Sequence, residues 1–215
     1  MAVSTKPAVA WVLSLLLACA FIYAPQAQGA KPDALALYRA GSFDQARQVC
    51  MAEIAANPDN MESYVVLSWS LLALGRYADA ELYARKAHDN IRRDPRIVEV
   101  LGEATFFLGR NDESLKLFQS YVNLLPDSTK LGQIYHYMGE LYLRMERWSH
   151  ADMAFRTAIQ YTPGNAEWWT RMGYARERAG EWTWALEAYE AALRLNPSLN
   201  DARLGRDRAV KKIRG

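Results

Sequence analysis

Three segments of the chain share one sequence pattern: Gly75-Arg76-Tyr77-Ala78-Asp79-Ala80, Gly41-Ser42-Phe43-Asp44-Gln45-Ala46 and Gly180-Glu181-Trp182-Thr183-Trp184-Ala185. Gly41, Gly75 and Gly109 follow one another at intervals of 34 residues. A fourth unit centres on Glu146, 37 residues after Gly109, and the last has its turn at Gly180, 34 residues later. The sequence therefore predicts five repeats of one structural unit, with three extra residues near 127–131.

Each unit has the pattern of two helices joined by a short turn. Apolar residues recur in two columns on the first helix: Tyr64, Val98, Tyr135 and Trp169, then Leu67, Leu101, Met138 and Met172. The next position holds a small residue, which lets the two helices approach closely: Ala34, Ser68, Gly102, Gly139 and Gly173. The second helix carries an aromatic wedge and then a further core column: Phe43, Tyr77, Trp148 and Trp182, then Cys50, Ala84, Phe118, Phe155 and Tyr189. Prolines that end a helix close most units: Pro58, Pro126, Pro163 and Pro197.

This register resembles the tetratricopeptide-repeat (TPR) family over about residues 27–199. The departures are local: Asn111 lacks the aromatic residue, Glu146 replaces the turn glycine, and Arg92 replaces the closing proline. The resemblance implies an all-α fold, a right-handed α-solenoid of about five helix-turn-helix units plus a C-terminal capping helix. The units are expected at 30–60, 61–94, 95–128, 132–165 and 166–199, with the basic capping helix at 200–215. The basic surplus of that helix is interpreted as a solvated face, with contact to an anionic membrane surface as the alternative.

Residues 1–29 have the pattern of an export signal. Lys6 precedes an uncharged stretch from Ala8 to Ala24, which indicates a signal peptide or, if uncleaved, a membrane anchor. Small residues of the kind that a signal peptidase reads occur in Ala18-Cys19-Ala20 and in Ala27-Gln28-Gly29, and the second is favoured because it follows Pro25 and precedes the repeats. The segment ending at Cys19 resembles the lipobox of bacterial lipoproteins, so lipidation of Cys19 is an alternative. We expect an exported protein, periplasmic or membrane-anchored and facing the periplasm.

Composition and motifs disfavour two classes of function. The formal net charge of +2 is too small for a nucleic-acid binder, which would carry a strong basic surplus on one face. The sequence contains no phosphate-binding loop, nucleophile elbow, zinc-binding His-Glu-x-x-His helix or Cys-x-x-Cys pair. We therefore expect neither an enzyme nor a cofactor.

The resemblance also implies a binding groove, because the first helices of successive TPR units line the concave surface. Helical spacing from the core columns gives these inward positions: Leu35, Tyr38, Trp69, Leu72, Glu99, Glu103, Phe106, Phe107, His136, Glu140 and Tyr174. The aromatic and aliphatic members predict an apolar floor at the N-terminal end, whereas the carboxylates make the middle of the groove acidic. His136 and the three carboxylates could hold a divalent metal, but recognition of a basic partner segment is favoured, with Arg144 able to pair with Glu140.

These expectations converge on a non-enzymatic interaction scaffold of the cell envelope. Its groove would bind another envelope protein or a peptide segment, for example during assembly of an envelope complex. The alternative is a carrier or accessory protein that holds an apolar small molecule in the groove. An enclosed pocket with few polar groups would favour the small molecule, and an open one would favour a peptide.

Overall fold

The computed structural model describes residues 33–90 and 94–215. The expected signal segment at residues 1–29, including Cys19, lies outside the described residues. Within the described ranges, no helix combines the length and the apolar character needed to cross a membrane.

The described residues form eleven helices and no strand, which confirms the all-helical prediction. Five pairs and a final helix follow in order: α1 (Ala34–Arg39) with α2 (Phe43–Ala56), α3 (Met61–Ala73) with α4 (Tyr77–Asn90), α5 (Pro95–Phe107) with α6 (Asn111–Leu124), α7 (Leu131–Arg144) with α8 (Trp148–Tyr161), α9 (Ala166–Arg178) with α10 (Trp182–Leu195), and α11 (Asn200–Arg214). Each helix packs against the next along the chain, and α1, α3 and α5 also pack against one another in turn. The result is a helical solenoid whose first helices share one side.

The turn inside each pair has the same geometry. Gly75 has a φ of 70° and donates its N–H to the carbonyl of Leu72, while Arg76 donates to Leu71. Equivalent pairs of hydrogen bonds close the other four turns, so each first helix ends in a Schellman-type motif. Glu146 occupies the glycine position of the fourth turn with a φ of 57°, a left-handed conformation that is strained for a residue with a Cβ atom.

The two helices of a unit approach closely at the small residue of the first helix, as the sequence predicts for Gly102, Gly139 and Gly173. A Cβ atom on Gly102 would lie 2.6 Å from Phe118, and one on Gly139 would lie 2.6 Å from Phe155. At these two positions the helices of a unit cross too closely for a side chain, because a methyl group would overlap the fully buried ring.

The last helix covers the end of the solenoid. Helix α11 packs against both α9 and α10. Its Gly205 lies against the ring of Tyr189, which is buried between the three helices with 1% of its surface exposed. Arg208 adds an ion pair to Glu177 of α9 at 2.7 Å. The C-terminal helix thus closes an apolar face that the fifth pair would otherwise leave open.

Four of the five first helices begin with a side-chain cap, and α7 does not. Asp33, Asn60, Asp94 and Asn165 each accept backbone N–H groups with the side chain, so they cap α1, α3, α5 and α9. Helix α7 begins after the three extra residues, and its first flanking residue is Lys130, whose side chain makes no capping bond. The side chain of Lys130 instead pairs with Glu99.

Candidate functional site

A pocket of about 470 Å³ lies on the side of the solenoid formed by the first helices, and it is open to solvent. We call it the groove pocket and define it by its lining: Tyr38, Trp69, Leu72, Ala73, Tyr77, Glu99, Val100, Glu103, Phe107, Lys130 and Tyr137. These residues come from α1, α3, α5 and α7 or their immediate boundaries, with one from the start of α4. The structure therefore brings together six of the residues that the sequence places in a groove: Tyr38, Trp69, Leu72, Glu99, Glu103 and Phe107.

Aromatic rings form most of the apolar wall of the groove pocket. The rings of Tyr38 and Trp69 lie 5.7 Å apart. Tyr77 and Phe107 are stacked with centroids 4.3 Å apart and an interplanar angle of 13°. Phe107 keeps 46% of its surface exposed, so this part of the wall is open to a binding partner. Exposed aromatic surface of this kind is typical of an interface anchor.

The polar side of the groove pocket is dominated by one ion pair. Lys130 Nζ lies 2.6 Å from Oε1 of Glu99 and 2.8 Å from Oε2, so the ammonium group contacts both carboxylate oxygens. Glu99 is buried, and the pairing offsets the cost of placing its charge among aromatic rings. The acidic character predicted for this region is thereby partly neutralised.

Glu103 supplies a second carboxyl group to the same pocket. Burial, together with the nearby charge of Glu99, raises the pKa of Glu103 to about 7. The charge of Lys130 and a hydrogen bond with the side chain of Tyr137 act in the opposite direction. A carboxyl group with this pKa changes its charge near neutral pH, and an incoming cation would favour its ionised form.

Phe106 does not line the groove, contrary to the sequence analysis. Its exposed fraction is 6%, and it belongs to a core cluster around α5, α6 and α7. The guanidinium group of Arg144 lies 3.9 Å from the centre of the ring and donates a hydrogen bond of 2.9 Å to the carbonyl of Phe106. The neighbouring helix therefore covers a side chain whose position on α5 alone indicated an exposed face.

Arg144 is thus occupied, and the expected pairing of Arg144 with Glu140 is also not observed. Glu140 instead forms a two-pronged ion pair with Arg171 of α9, through both of its carboxylate oxygens. Tyr174 lies near the same arginine, with the guanidinium group 5.4 Å from the ring centre. These residues form a separate polar cluster between α7 and α9, outside the groove pocket.

His136 and Leu35 also lie outside the lining of the groove pocket. The imidazole of His136 stacks on Trp168 at 5.3 Å with an interplanar angle of 12°, and burial lowers its pKa. Leu35 is half-buried against the core cluster that contains α1 and α3. Across the described residues, no group of three or more His, Cys, Asp or Glu side chains is arranged to hold a metal ion.

Sequence reasoning missed four lining residues: Tyr77, Val100, Lys130 and Tyr137. Lys130 lies in the three extra residues between the third and fourth units, so it has no counterpart in the other repeats. Tyr77 belongs to the column of aromatic wedges, and its ring also reaches the groove pocket. Tyr137 lies between two core positions of α7. The change of spacing from 34 to 37 residues was the available signal, because an insertion beside a groove can place a new side chain in it.

Comparison with known proteins identifies the repeat. Family models described as tetratricopeptide repeat match residues 33–95 and 67–129, and a further one matches residues 166–199. The chain belongs to the tetratricopeptide-repeat family. In this TPR protein, the groove pocket is built by the first helices of the first four units.

Two curated relatives are about one quarter identical to this chain or less. The chain is 25% identical over 165 residues to the tetratricopeptide repeat domain-containing protein PYG7, chloroplastic, of Arabidopsis thaliana, covering 71% of this chain and 55% of that protein. It is 22% identical over 175 residues to the protein O-mannosyl-transferase TMTC1 of Homo sapiens, covering 81% of this chain and 20% of that protein. The chain thus spans about half or less of the curated relatives it matches.

Solved structures share the fold of this TPR protein. MamA residues 41-end from Desulfovibrio magneticus RS-1 superpose with a TM-score of 0.69 at 17% identity, covering 78% of this chain and 93% of that one. A chain of the APC/C hetero-tetramer Cut9-Hcn1 superposes with a TM-score of 0.70 at 18% identity, covering 82% of this chain and 35% of that one. At these identities, the likeness concerns the fold alone.

Proposed function

We propose that this TPR protein is a non-enzymatic scaffold of the cell envelope that holds a segment of a partner protein in the groove pocket. The observation that carries the proposal is the pocket itself, an open aromatic surface formed by the first helices of four successive units. The TPR fold suggests protein partners in general, and repeat proteins of this kind are generally scaffolds rather than enzymes. The uncharged segment from Ala8 to Ala24 supports the envelope as the location.

The lining favours a protein segment over an apolar small molecule. The volume of about 470 Å³ falls in the range of small-molecule sites, which is about 300–1,000 Å³. However, the pocket opens to solvent and contains the ionisable groups of Glu99, Glu103 and Lys130. An apolar ligand would exclude water from the Glu103 carboxyl group without offering it a polar partner, at a cost of several kcal/mol when that group is ionised. A polypeptide can supply polar partners as well as apolar surface.

Selection from a peptide library tests this role of the groove pocket. The full chain, purified in a mild detergent, would be presented with random 12-residue peptides displayed on phage. Phe107→Ala removes an exposed aromatic wall, whereas Trp184→Ala removes an aromatic residue of 57% exposure that does not line the pocket. We expect the unmodified chain and Trp184→Ala to enrich the same peptides and Phe107→Ala to lose them. Enrichment that survives Phe107→Ala, or none at all, would contradict the proposal.

The envelope location is tested separately. Cells producing the full chain with a C-terminal epitope would be divided into cytoplasmic, periplasmic and membrane fractions. We expect the epitope in the periplasmic or membrane fraction, and sensitive to protease added outside the inner membrane. Recovery of the full-length chain in the cytoplasm would contradict the envelope location and would not affect the proposed role of the groove pocket.

A further inference from the structure

We infer that the groove pocket recognises a lysine or arginine side chain of the partner segment, with the aromatic rings around its methylene groups and its cationic end against Glu103. This inference rests on the proposed function and specifies the chemistry of the partner. It follows from the combination of rings and carboxylates in one open pocket, and from the way in which the charges of the lining are already paired.

Aromatic rings are the main apolar feature of the groove pocket. Tyr38, Trp69, Tyr77, Phe107 and Tyr137 all line the same pocket. The faces of such rings attract cations, and a site with several rings holds ammonium or guanidinium groups better than one ring does. The hydrocarbon part of a lysine or arginine side chain also packs well on aromatic surface while its charged end stays solvated or paired.

The ionisable groups that line the groove pocket do not balance in charge. The lining contains two carboxyl groups, Glu99 and Glu103, but only one cationic group, Lys130. The ammonium group of Lys130 contacts both carboxylate oxygens of Glu99 at 2.6 and 2.8 Å. When Glu103 is ionised, the groove pocket therefore carries one uncompensated negative charge. A cationic side chain neutralises that charge, and an acidic or purely apolar one does not.

The surroundings of Glu103 control its ionisation. The ionisable group nearest to it on its own helix is Glu99. The other ionisable groups are Lys130 just before α7, Tyr137 on α7, Tyr38 on α1 and Tyr77 on α4. Contact with Glu99 raises the pKa of Lys130, so this group stays cationic at neutral pH. The pKa of Glu103 is raised to about 7, chiefly by burial. Binding of a cation should therefore strengthen as the pH rises from 6 to 8.

A set of fixed-position peptides tests the inference. Five labelled sublibraries would have the form acetyl-XXXX-B-XXXX-amide, with X random and B fixed as lysine, arginine, glutamine, leucine or glutamate. Binding to the full chain would be followed by fluorescence anisotropy in 150 mM sodium chloride at pH 6, 7 and 8. We expect the lysine and arginine sublibraries to bind about tenfold more tightly than the glutamine sublibrary at pH 8, with the glutamate sublibrary weakest. The advantage should shrink at pH 6.

Two variants locate the effect. Glu103→Gln keeps the size of the side chain and should reduce the preference for lysine and arginine at least about fivefold while removing its pH dependence. Glu190→Gln changes an exposed carboxylate on α10 and should leave the preference unchanged. Circular dichroism would establish that both variants remain helical.

The outcomes separate this inference from the proposed function. If leucine or glutamate sublibraries bind best, and Phe107→Ala still abolishes that binding, the inference is overturned while the proposed function stands. A lysine preference that persists in Glu103→Gln would also overturn it. If none of the sublibraries shows binding that depends on Phe107, the proposed function fails as well.

Discussion

Replacing Glu103 by glutamine should stabilise the protein at alkaline pH and have little effect at acidic pH. The folded protein raises the pKa of this carboxyl from its ordinary value of 4.5 to about 7, first through burial and then through the charge of Glu99. Because the folded state holds the proton more tightly than the unfolded state, ionisation lowers the free energy of unfolding as the pH rises from about 4.5 to about 7. Above that window the loss is complete, at about 2 to 4 kcal/mol.

The assay is chemical unfolding followed by circular dichroism at 222 nm, repeated at intervals from pH 4.5 to pH 8.5. Glutamine keeps the shape of the side chain and can still hydrogen-bond to Tyr137, but it carries no charge. We expect the unfolding midpoints of the two proteins to nearly coincide near pH 4.5, to diverge progressively between pH 5 and pH 7, and to differ by a constant amount above that, with Glu103→Gln the more stable. Glu190→Gln serves as the exposed control. A Glu103→Gln protein that is less stable at pH 8.5, or equally displaced at every pH, would refute the reasoning.

Three further predictions concern the solenoid. Glu146→Gly should raise the free energy of unfolding by about 0.5–1 kcal/mol, because glycine adopts a φ of 57° without strain, at some cost in unfolded-state entropy. Gly180→Ala, at a φ of 81°, should lower the free energy of unfolding by about 1 kcal/mol. Urea titration of both variants would check these opposite signs. Gly139→Ala should lower the free energy of unfolding by about 1–3 kcal/mol, since the new methyl group would lie 2.6 Å from Phe155. A melting temperature equal to that of the unmodified protein would show that the two helices can move apart without loss of stability. Deletion of residues 200–215 should lower the melting temperature and promote self-association by uncovering α9 and α10; a monodisperse protein with an unchanged melt would contradict the capping role.

The repeating part of the fold could be predicted because each unit uses the same local chemistry. Gly75, which recurs at the repeat spacing, predicts a turn between the two helices of the second unit, and the small size of Gly102 predicts that the two helices of the third unit approach closely. The structure has both features, with a φ of 70° at Gly75 and the ring of Phe118 against Gly102. Periodicity therefore sufficed for the helices and for the packing within each unit.

Helical spacing named six residues that line the groove pocket, but it could not foresee contacts between units. Helical spacing gives the direction in which Phe106 points, whereas its burial depends on Arg144, which lies 38 residues further along the chain. Lys130 lies in an insertion that has no repeat register, so no column indicated its ion pair with Glu99. Both features depend on the distance between neighbouring first helices, which a sequence pattern does not contain.

The central claim is that the partner is bound at the groove pocket, and site-specific photo-crosslinking in the living source cells tests it most directly. The photoreactive residue p-benzoylphenylalanine would replace Phe107 in one strain and Trp184 in another, since both side chains are exposed but only Phe107 lines the pocket. Mass spectrometry of the crosslinked products would locate the attached partner segment. We predict a defined protein crosslink from position 107, next to a lysine or arginine of the partner, and none from position 184. A crosslink from position 184 with none from position 107 would contradict the account.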